Sequence, residues 1–201
     1  MESITIILII AIGENMVRPP PKTKRNLLIV LLICSPWFVC QVWIQVSAPN
    51  EVWTTMPTCP TDSQNCVHLG GGSSQYEVPY DMSDELQSNA STVWLSLLEW
   101  VEENDVETLH KEINSHHMLH YSIPSSDYYV HLVQKTSFWR FPDDLVVRIT
   151  PSETGDSSQA LSGSVIEIHS QSRLGQDDMG ENNRRLEALH SHLSDAESIW
   201  D

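Results

Sequence analysis

The sequence predicts an α+β domain, in which a mainly antiparallel sheet of four to five strands is flanked by an N-terminal and a C-terminal helix and preceded by one transmembrane helix. An uncharged apolar stretch occupies residues 27–46. Beyond it, a segment with helical spacing of apolar residues precedes a series of alternating, strand-like segments, and a second helical segment follows them. Strands that lie between two helices, rather than alternating with helices, indicate an antiparallel sheet.

The apolar stretch is long enough to span a membrane. Its 20 residues, at about 1.5 Å each, cover roughly the 30 Å of a hydrocarbon core. Three basic residues lie just before it, whereas residues 47–110 contain neither lysine nor arginine. The positive-inside rule therefore predicts a cytosolic tail over residues 1–26, an anchor over residues 27–46 and an acidic part on the other side. We expect a single-pass membrane protein of the secretory pathway or cell surface.

The alternative to an anchor is a cleaved signal peptide. Val46-Ser47-Ala48 resembles a small-residue cleavage site. Pro49 follows that site directly and disfavours cleavage, and the apolar stretch is long for a signal. We therefore predict an uncleaved anchor, whereas cleavage would give a secreted protein.

The charge of the chain excludes one class of partner. The sequence has 11 basic and 27 acidic residues, a net charge of −16. Of these, 7 basic and 25 acidic residues fall in residues 51–201. Nucleic-acid binding needs a basic surface, so we predict no nucleic-acid partner. The same charge argues against attachment of the domain to an anionic leaflet.

Residues 47–82 are rich in proline, glycine, serine and threonine, and they predict a flexible stalk. Cys59 and Cys66 lie in this stalk, on the non-cytosolic side, where a disulfide would stabilise the chain by roughly 2–3 kcal/mol. Asn89-Ala90-Ser91 is an N-glycosylation acceptor on the same side. We therefore expect a disulfide and a glycan at Asn89.

Residues 83–194 are predicted to form the α+β domain, followed by an acidic tail over residues 195–201. The first helix is expected over Ser83 to Glu102, where apolar residues follow helical spacing. The last is expected over about Met179 to Leu193, with a capping box formed by Asp178 and Glu181. The strand-like segments between them are Thr108 to Ile113, His116 to Ile123, Tyr128 to Thr136, Leu145 to Thr150 and Val165 to His169.

Two stretches of the sequence carry a set of motifs. The first is Cys59-Pro60-Thr61-Asp62-Ser63-Gln64-Asn65-Cys66-Val67. The second begins Phe141-Pro142-Asp143-Asp144-Leu145-Val146-Val147-Arg148, continues through Ile168-His169-Ser170-Gln171-Ser172-Arg173-Leu174-Gly175 and ends with Asp178-Met179-Gly180-Glu181-Asn182-Asn183-Arg184-Arg185-Leu186. Over about residues 57–193 the chain resembles the family catalogued as domain of unknown function 1499. The resemblance implies an exported module without an established activity. His169 departs from the arginine that is usual at its position.

The second stretch supplies a polar cluster with two interpretations. One is a pocket for an acidic or hydroxylated ligand, in which Arg173 binds an anion. The other is a structural network of arginine, aspartate and asparagine that joins the last helix to the sheet, and we favour it. Asn182 lies on the inner stripe of that helix and needs hydrogen-bond partners. The members of the cluster are Asp143, Asp144, Arg148, Ser170, Ser172, Arg173, Asp178, Asn182, Arg184 and Arg185.

The sequence favours a non-catalytic binding or interaction module, whose partner is an unidentified small ligand or protein, with no cofactor. The alternative is a hydrolase-like or metal-assisted enzyme that uses the region of Asp143, Asp144, Ser170 and Arg173. That alternative is disfavoured because adjacent strand residues point apart, which separates the two aspartates and places His169 opposite Ser170. A metal site at the histidines of residues 116–120 would need a further ligand.

Overall fold

The computed structural model describes residues 21–72, 74–75, 82–117, 124–152 and 163–196. Contacts divide the chain into two compact units, Met1–Val42 and Trp43–Asp201. The first unit contains most of helix α1, which runs over Pro21–Ser47. The second contains a β-sheet and two further helices.

Helix α1 is long and apolar enough to cross a membrane, and it is the one such helix among the described residues. Within the stretch Lys22–Ser47, only 6% of the most apolar 18-residue window is buried in the protein. The helix contains the predicted span and begins six residues before it, so the basic residues of the flank are helical as well. Pro36 lies inside the helix without ending it.

The second unit contains the predicted α+β domain. Its elements are β1 (Cys66–Leu69), β2 (Glu85–Leu86), α2 (Ala90–Glu103), β3 (Glu107–His117), β4 (Pro124–Lys135), β5 (Pro142–Pro151), β6 (Ser164–Ser172) and α3 (Glu181–Asp195). The strand order is β1-β6-β5-β4-β3, with β2 also paired to β6. Every strand pair is antiparallel. The predicted fold class is confirmed.

Both helices of the domain pack against the same face of the sheet. On β5, Leu145, Val147 and Ile149 alternate towards this face and are fully buried. The helices contribute apolar residues at helical spacing, which is why their segments stand out in the sequence. These residues are Val93, Trp94 and Leu97 of α2 and Leu186, Leu189 and Leu193 of α3.

The first helix of the domain begins later than the predicted start at Ser83. Helix α2 begins at Ala90, and its cap is Asn89, whose Oδ1 accepts a hydrogen bond from the Thr92 N–H at 3.0 Å. Within the residues expected to be helical, Glu85–Leu86 instead pair with β6. A side-chain cap at Asn89 fixes the start because it satisfies a backbone N–H that the helix leaves unpaired.

The strand at residues 116–123 was predicted wrongly as a separate element. His116 and His117 instead end β3, and residues 118–123 lie outside the described residues. Strand β3 lies at the end of the described strand order, with a register shift between Thr108 and His110. Lys111 and Glu112 are exposed on this strand.

Part of the predicted stalk belongs to the sheet. Cys66–Leu69 form β1, a fully buried strand that pairs with β6. At four residues it is too short for its alternation to be recognised in a glycine-rich surrounding. Gly70 follows it with a φ of 88°, and a Cβ there would lie 2.5 Å from the carbonyl oxygen of Ile166. Glycine is therefore required where β1 turns away from β6.

Helix α3 begins at Glu181, and the predicted capping box does not form. Gly180 occupies the N-cap position with a φ of 77°, and the Glu181 carboxylate pairs with Arg184 instead of reaching back. Asp178 still supports the start of the helix, because its Oδ2 accepts a hydrogen bond from the Asn182 N–H at 2.7 Å.

Candidate functional site

Strand alternation divides the predicted polar cluster between the two faces of the sheet. Asp143 and Ser170 point towards α3, on the face that carries the apolar core. Asp144 and His169 point to the opposite face, as alternation along β5 and β6 predicts. Asp143 and Asp144 both lie within β5, so no turn brings the two carboxylates together.

The helix-side cluster consists of Asp143, Ser170, Ser172, Asn182 and Arg185, all buried. The Nη2 of Arg185 donates to Asp143 Oδ2 at 2.7 Å, and its Nη1 donates to Ser170 Oγ at 3.0 Å and Asn182 Oδ1 at 2.7 Å. The same guanidinium donates from Nε to Gln134 of β4 at 2.5 Å. One arginine of α3 thus bonds to β4, β5 and β6.

Asn182 completes this cluster. Its Oδ1 accepts from Ser170 Oγ at 2.6 Å, and its Nδ2 donates to Ser172 Oγ at 3.0 Å and to the Asn65 carbonyl oxygen at 2.9 Å. Burial raises the pKa of Asp143, and the Arg185 cation partly opposes that rise. The cluster therefore supplies hydrogen-bond partners for the buried side chain of Asn182 and encloses the ion pair of Asp143 and Arg185.

The opposite face of the sheet is partly covered by the lead-in segment, residues 48–56, which follows α1. The lead-in cluster on this face is built on Asp144 and Arg173. Arg173 donates from Nε and Nη2 to both carboxylate oxygens of Asp144, at 2.8 and 2.6 Å. Its Nη1 donates to the Pro49 carbonyl oxygen at 3.2 Å and to Asn50 Oδ1 at 2.7 Å. Four of the five N–H groups of a guanidinium are thereby used.

His131 joins Asp144 to the lead-in segment. Its Nδ1 accepts a hydrogen bond from the Trp53 N–H at 3.0 Å, so that nitrogen carries no proton in this arrangement. Its Nε2 therefore carries the proton and donates to Asp144 Oδ1 at 2.7 Å. The Trp53 indole stacks on the imidazole, with ring centroids 5.0 Å apart.

Tyr129 holds the next part of the lead-in segment. Its phenolic oxygen lies 3.1 Å from the carbonyl oxygens of both Trp53 and Thr55, to which it donates. Burial raises the pKa of Tyr129 to about 12. Burial also raises the pKa of Asp144, but the hydrogen bonds from Arg173 and His131 outweigh it and hold that pKa below its usual value.

A pair of histidines, His68 and His169, lies beside the lead-in cluster. His68 of β1 and His169 of β6 are register partners, with their Nδ1 atoms 3.4 Å apart. The Nε2 of His68 lies 3.4 Å from Glu167 Oε1, and this contact is the main reason that the Glu167 pKa is lowered. Burial lowers the pKa of His169 to about 4, so this imidazole is neutral near pH 7.

The predicted disulfide is present between Cys59 and Cys66, whose Cα atoms are 5.6 Å apart. Together with His169, these cysteines place three ligand-type atoms within 4.8 Å of one another. The two sulfurs are bonded to each other, so neither is the thiolate that metal binding requires. The histidines at residues 116–120 lie outside the described side chains.

Three predicted residues lie apart from both clusters. Arg148 donates to Glu167 Oε2 at 3.1 Å on the lead-in face. Asp178 supports the start of α3, and Arg184 is an exposed residue of that helix. None of the three bonds to Asp143 or Asp144 in the hydrogen bonds of the described residues.

Several cavities adjoin these residues. One of about 220 Å³ beside the lead-in cluster is lined by Ser47, Glu51, Trp53, Ser172 and Arg173, among others. Another of about 580 Å³ lies along α3, where Arg184 is the one member of the predicted cluster among its lining residues.

Sequence reasoning missed Trp53, His68, His131 and Glu167. One available signal was the placement of His131 between Tyr129 and Val133 on one face of a strong strand. A polar residue at such a position needs a buried partner, and Asp144 is the acid on the neighbouring strand. Trp53 could not be found in this way, because it lies in a segment without regular secondary structure.

Fold and site together define a protein with one apolar helix that is long enough to cross a membrane and one α+β domain, whose antiparallel sheet is covered by two helices on one face and partly by the lead-in segment on the other. Over residues 49–193 the chain matches the family described as protein of unknown function (DUF1499), and it belongs to that family. No curated protein and no solved structure matches it.

Proposed function

We propose that this protein is a non-catalytic interaction module, anchored by α1 with its acidic domain on the non-cytosolic side of a membrane. One observation carries the proposal: the motif residues of both clusters are occupied by hydrogen bonds within the protein. Arg185 is bonded to three strands and Arg173 to Asp144 and the lead-in segment. Residues used in this way hold the domain together.

The enzyme alternative is disfavoured by the same contacts. The Ser170 hydroxyl donates to Asn182 and accepts from Arg185, on the face of the sheet opposite the histidines. The His131–Asp144 pair resembles the base and orienting acid of a catalytic triad, but the free lone pair of His131 is taken by the Trp53 N–H. The two aspartates lie on opposite faces, each paired with its own arginine.

The cavity beside the lead-in cluster leaves little room for a small molecule next to Arg173. Its volume of about 220 Å³ is below the 300–1,000 Å³ that is typical of small-molecule sites. The small-ligand interpretation predicts a retained molecule, which native mass spectrometry of the purified full chain would detect. We expect no stoichiometric molecule, and one that is lost in Ser172→Ala would instead assign a small-molecule binding site to this cavity.

The proposed topology is supported by the basic flank of α1, the disulfide and the position of Asn89. The asparagine is exposed, and the hydrogen bonds of its cap use Oδ1, whereas a glycan would be attached to Nδ2. Glycosylation and capping can therefore coexist.

The test of topology is expression of the full chain in a eukaryotic secretory host. We expect protein that resists carbonate extraction and carries one glycan, which Ser91→Ala removes while Asn89 and its cap remain. An acceptor introduced into residues 1–26 should stay unmodified. Glycosylation there but not at Asn89, or release by carbonate, would overturn the anchored topology.

A further inference from the structure

An exposed aromatic pair lies at the turn between β4 and β5. Phe138 is 67% exposed and Trp139 is 43% exposed, and their rings meet edge to face with centroids 4.9 Å apart. Arg140 follows them and is also exposed. Adjacent large aromatic residues that are exposed to water are a feature of interaction sites, because their apolar surface is not buried by folding.

The turn is held in one conformation by hydrogen bonds. The Thr136 N–H donates to the Phe141 carbonyl oxygen at 3.0 Å, and the Phe141 N–H donates to Thr136 Oγ1 at the same distance. The Arg140 N–H donates to the Thr136 carbonyl oxygen at 3.0 Å. The aromatic pair is therefore presented on a closed turn, and its exposure does not come from an open loop.

The turn lies at the end of the sheet where the chain leaves α1. Lys135 pairs with Pro142 at the base of the turn, and the Arg173 N–H donates to the Pro142 carbonyl oxygen at 3.3 Å. The guanidinium of the same arginine binds Pro49 and Asn50. Ser47, the last residue of α1, lines the cavity that Arg173 also lines.

The path of the lead-in segment gives its direction along the sheet. Asn50 lies near Asp144, because Arg173 binds both side chains. Farther along the segment, the Trp53 N–H donates to His131. The Thr55 carbonyl oxygen then accepts from Tyr129. The register places His131 and then Tyr129 progressively farther from the turn between β4 and β5. Followed backwards, the segment approaches the turn and reaches α1 there.

We infer that the tip of this turn, residues 137–140, inserts into the interface of the bilayer that α1 spans and gives the domain a second contact with the membrane. This inference rests on the proposed anchoring by α1. Tryptophan is suited to an interface, where its ring lies in an apolar layer and its indole N–H is near water, and phenylalanine adds apolar contact area. Arg140 can extend its guanidinium to headgroup phosphates.

The charge of the domain selects the kind of lipid. Residues 51–201 hold 25 acidic and 7 basic residues, so an anionic surface would repel the domain. A zwitterionic phosphatidylcholine surface carries no net charge, so it would not repel the domain and the aromatic residues could insert. A protein partner for the same tip is the competing explanation, and the test below separates the two.

The experiment places a fluorophore at chosen positions of the full chain in phosphatidylcholine vesicles. Cys34 and Cys40 are free and are changed to serine, while the disulfide is kept. Labels are placed in Ser137→Cys beside the intact tip, Val39→Cys in α1 and Ile113→Cys as a control. Ile113 is 49% exposed, and its partner Tyr128 lies seven residues from Lys135, about 23 Å along the strand.

We expect lipid-borne nitroxides to quench the labels at positions 39 and 137 several-fold more than the label at 113, and aqueous iodide to give the reverse order. Phe138→Ser/Trp139→Ser in the Ser137→Cys background should abolish the excess quenching. Quenching at 39 with position 137 matching 113 would overturn the inference, leave the anchor intact and favour a protein partner. Absence of lipid quenching at 39 would overturn the anchor and the inference with it.

Discussion

Replacing Arg185 by methionine tests whether the helix-side cluster is structural. The substitution keeps an unbranched side chain but removes the cation that faces Asp143. Both residues of the pair are more than nine-tenths buried, and the carboxylate lies 2.7 Å from the guanidinium. Among the ion pairs of the described residues, Arg185 is the partner of Asp143. Without Arg185 the carboxylate stays buried with no charged partner, because the neighbouring Arg184 is exposed on α3.

The magnitude follows from the burial of this pair. Removing one partner of a buried ion pair costs about 3–5 kcal/mol, a large part of the roughly 5–15 kcal/mol that stabilises a typical domain. For a domain of this size the loss corresponds to a fall in melting temperature of roughly 10–15 °C. The double variant Asp143→Leu/Arg185→Met buries no charge and should recover much of the loss.

The assay is urea unfolding of the full chain in detergent micelles, followed by tryptophan fluorescence. The pH dependence supplies an internal check on Asp143, whose pKa is raised in the folded protein. A raised carboxyl pKa means that folding favours the protonated form, so the Arg185→Met variant should regain stability as the pH falls towards that pKa. A loss under about 1 kcal/mol, or a double variant no more stable than the single one, would refute the structural role.

Three further predictions concern the opposite face. The His169 pKa falls from 6.5 to about 4 on folding, so the neutral form stabilises the fold fully above pH 6.5 and this contribution, roughly 3 kcal/mol, is lost between pH 6.5 and 4. His169→Gln should flatten the stability profile measured over this range, and an unchanged profile would contradict the assignment. Arg173→Ala should speed limited proteolysis within residues 48–56 several-fold, with Arg184→Ala as the exposed control; equal rates would exclude a role in holding the segment. Cys59→Ser/Cys66→Ser should lower the unfolding free energy by about 2–3 kcal/mol, and reduced wild-type protein should show the same loss.

Periodicity predicted the part of the fold whose segments are long. Strands β4 to β6 and helix α3 each have at least nine residues, and each contains most of the segment whose pattern predicted it. The same alternation separated Ser170 from His169. Strands β1 and β2 have four and two residues, too few for a pattern, and only their pairing with β6 defines them.

The contacts of the lead-in segment depend on tertiary structure, which a local pattern does not contain. Trp53 and His131 are 78 residues apart in sequence, and Arg173 lies 123 residues from Asn50. Proline and threonine around Trp53 indicated a flexible segment, because composition reports the absence of regular structure. It does not report whether side chains from the sheet bind the segment.

If α1 anchors the chain as proposed, strand β3, which ends the described strand order, affects how copies of the domain can lie side by side in one membrane. Tethered proteins meet each other at high local concentration, and an edge strand with free backbone groups could join neighbouring copies into a continuous sheet. The shifted register near Thr108 interrupts a regular template, and the exposed charges of Lys111 and Glu112 oppose close stacking of identical edges. Crowding in the plane of the bilayer is therefore compatible with separate domains.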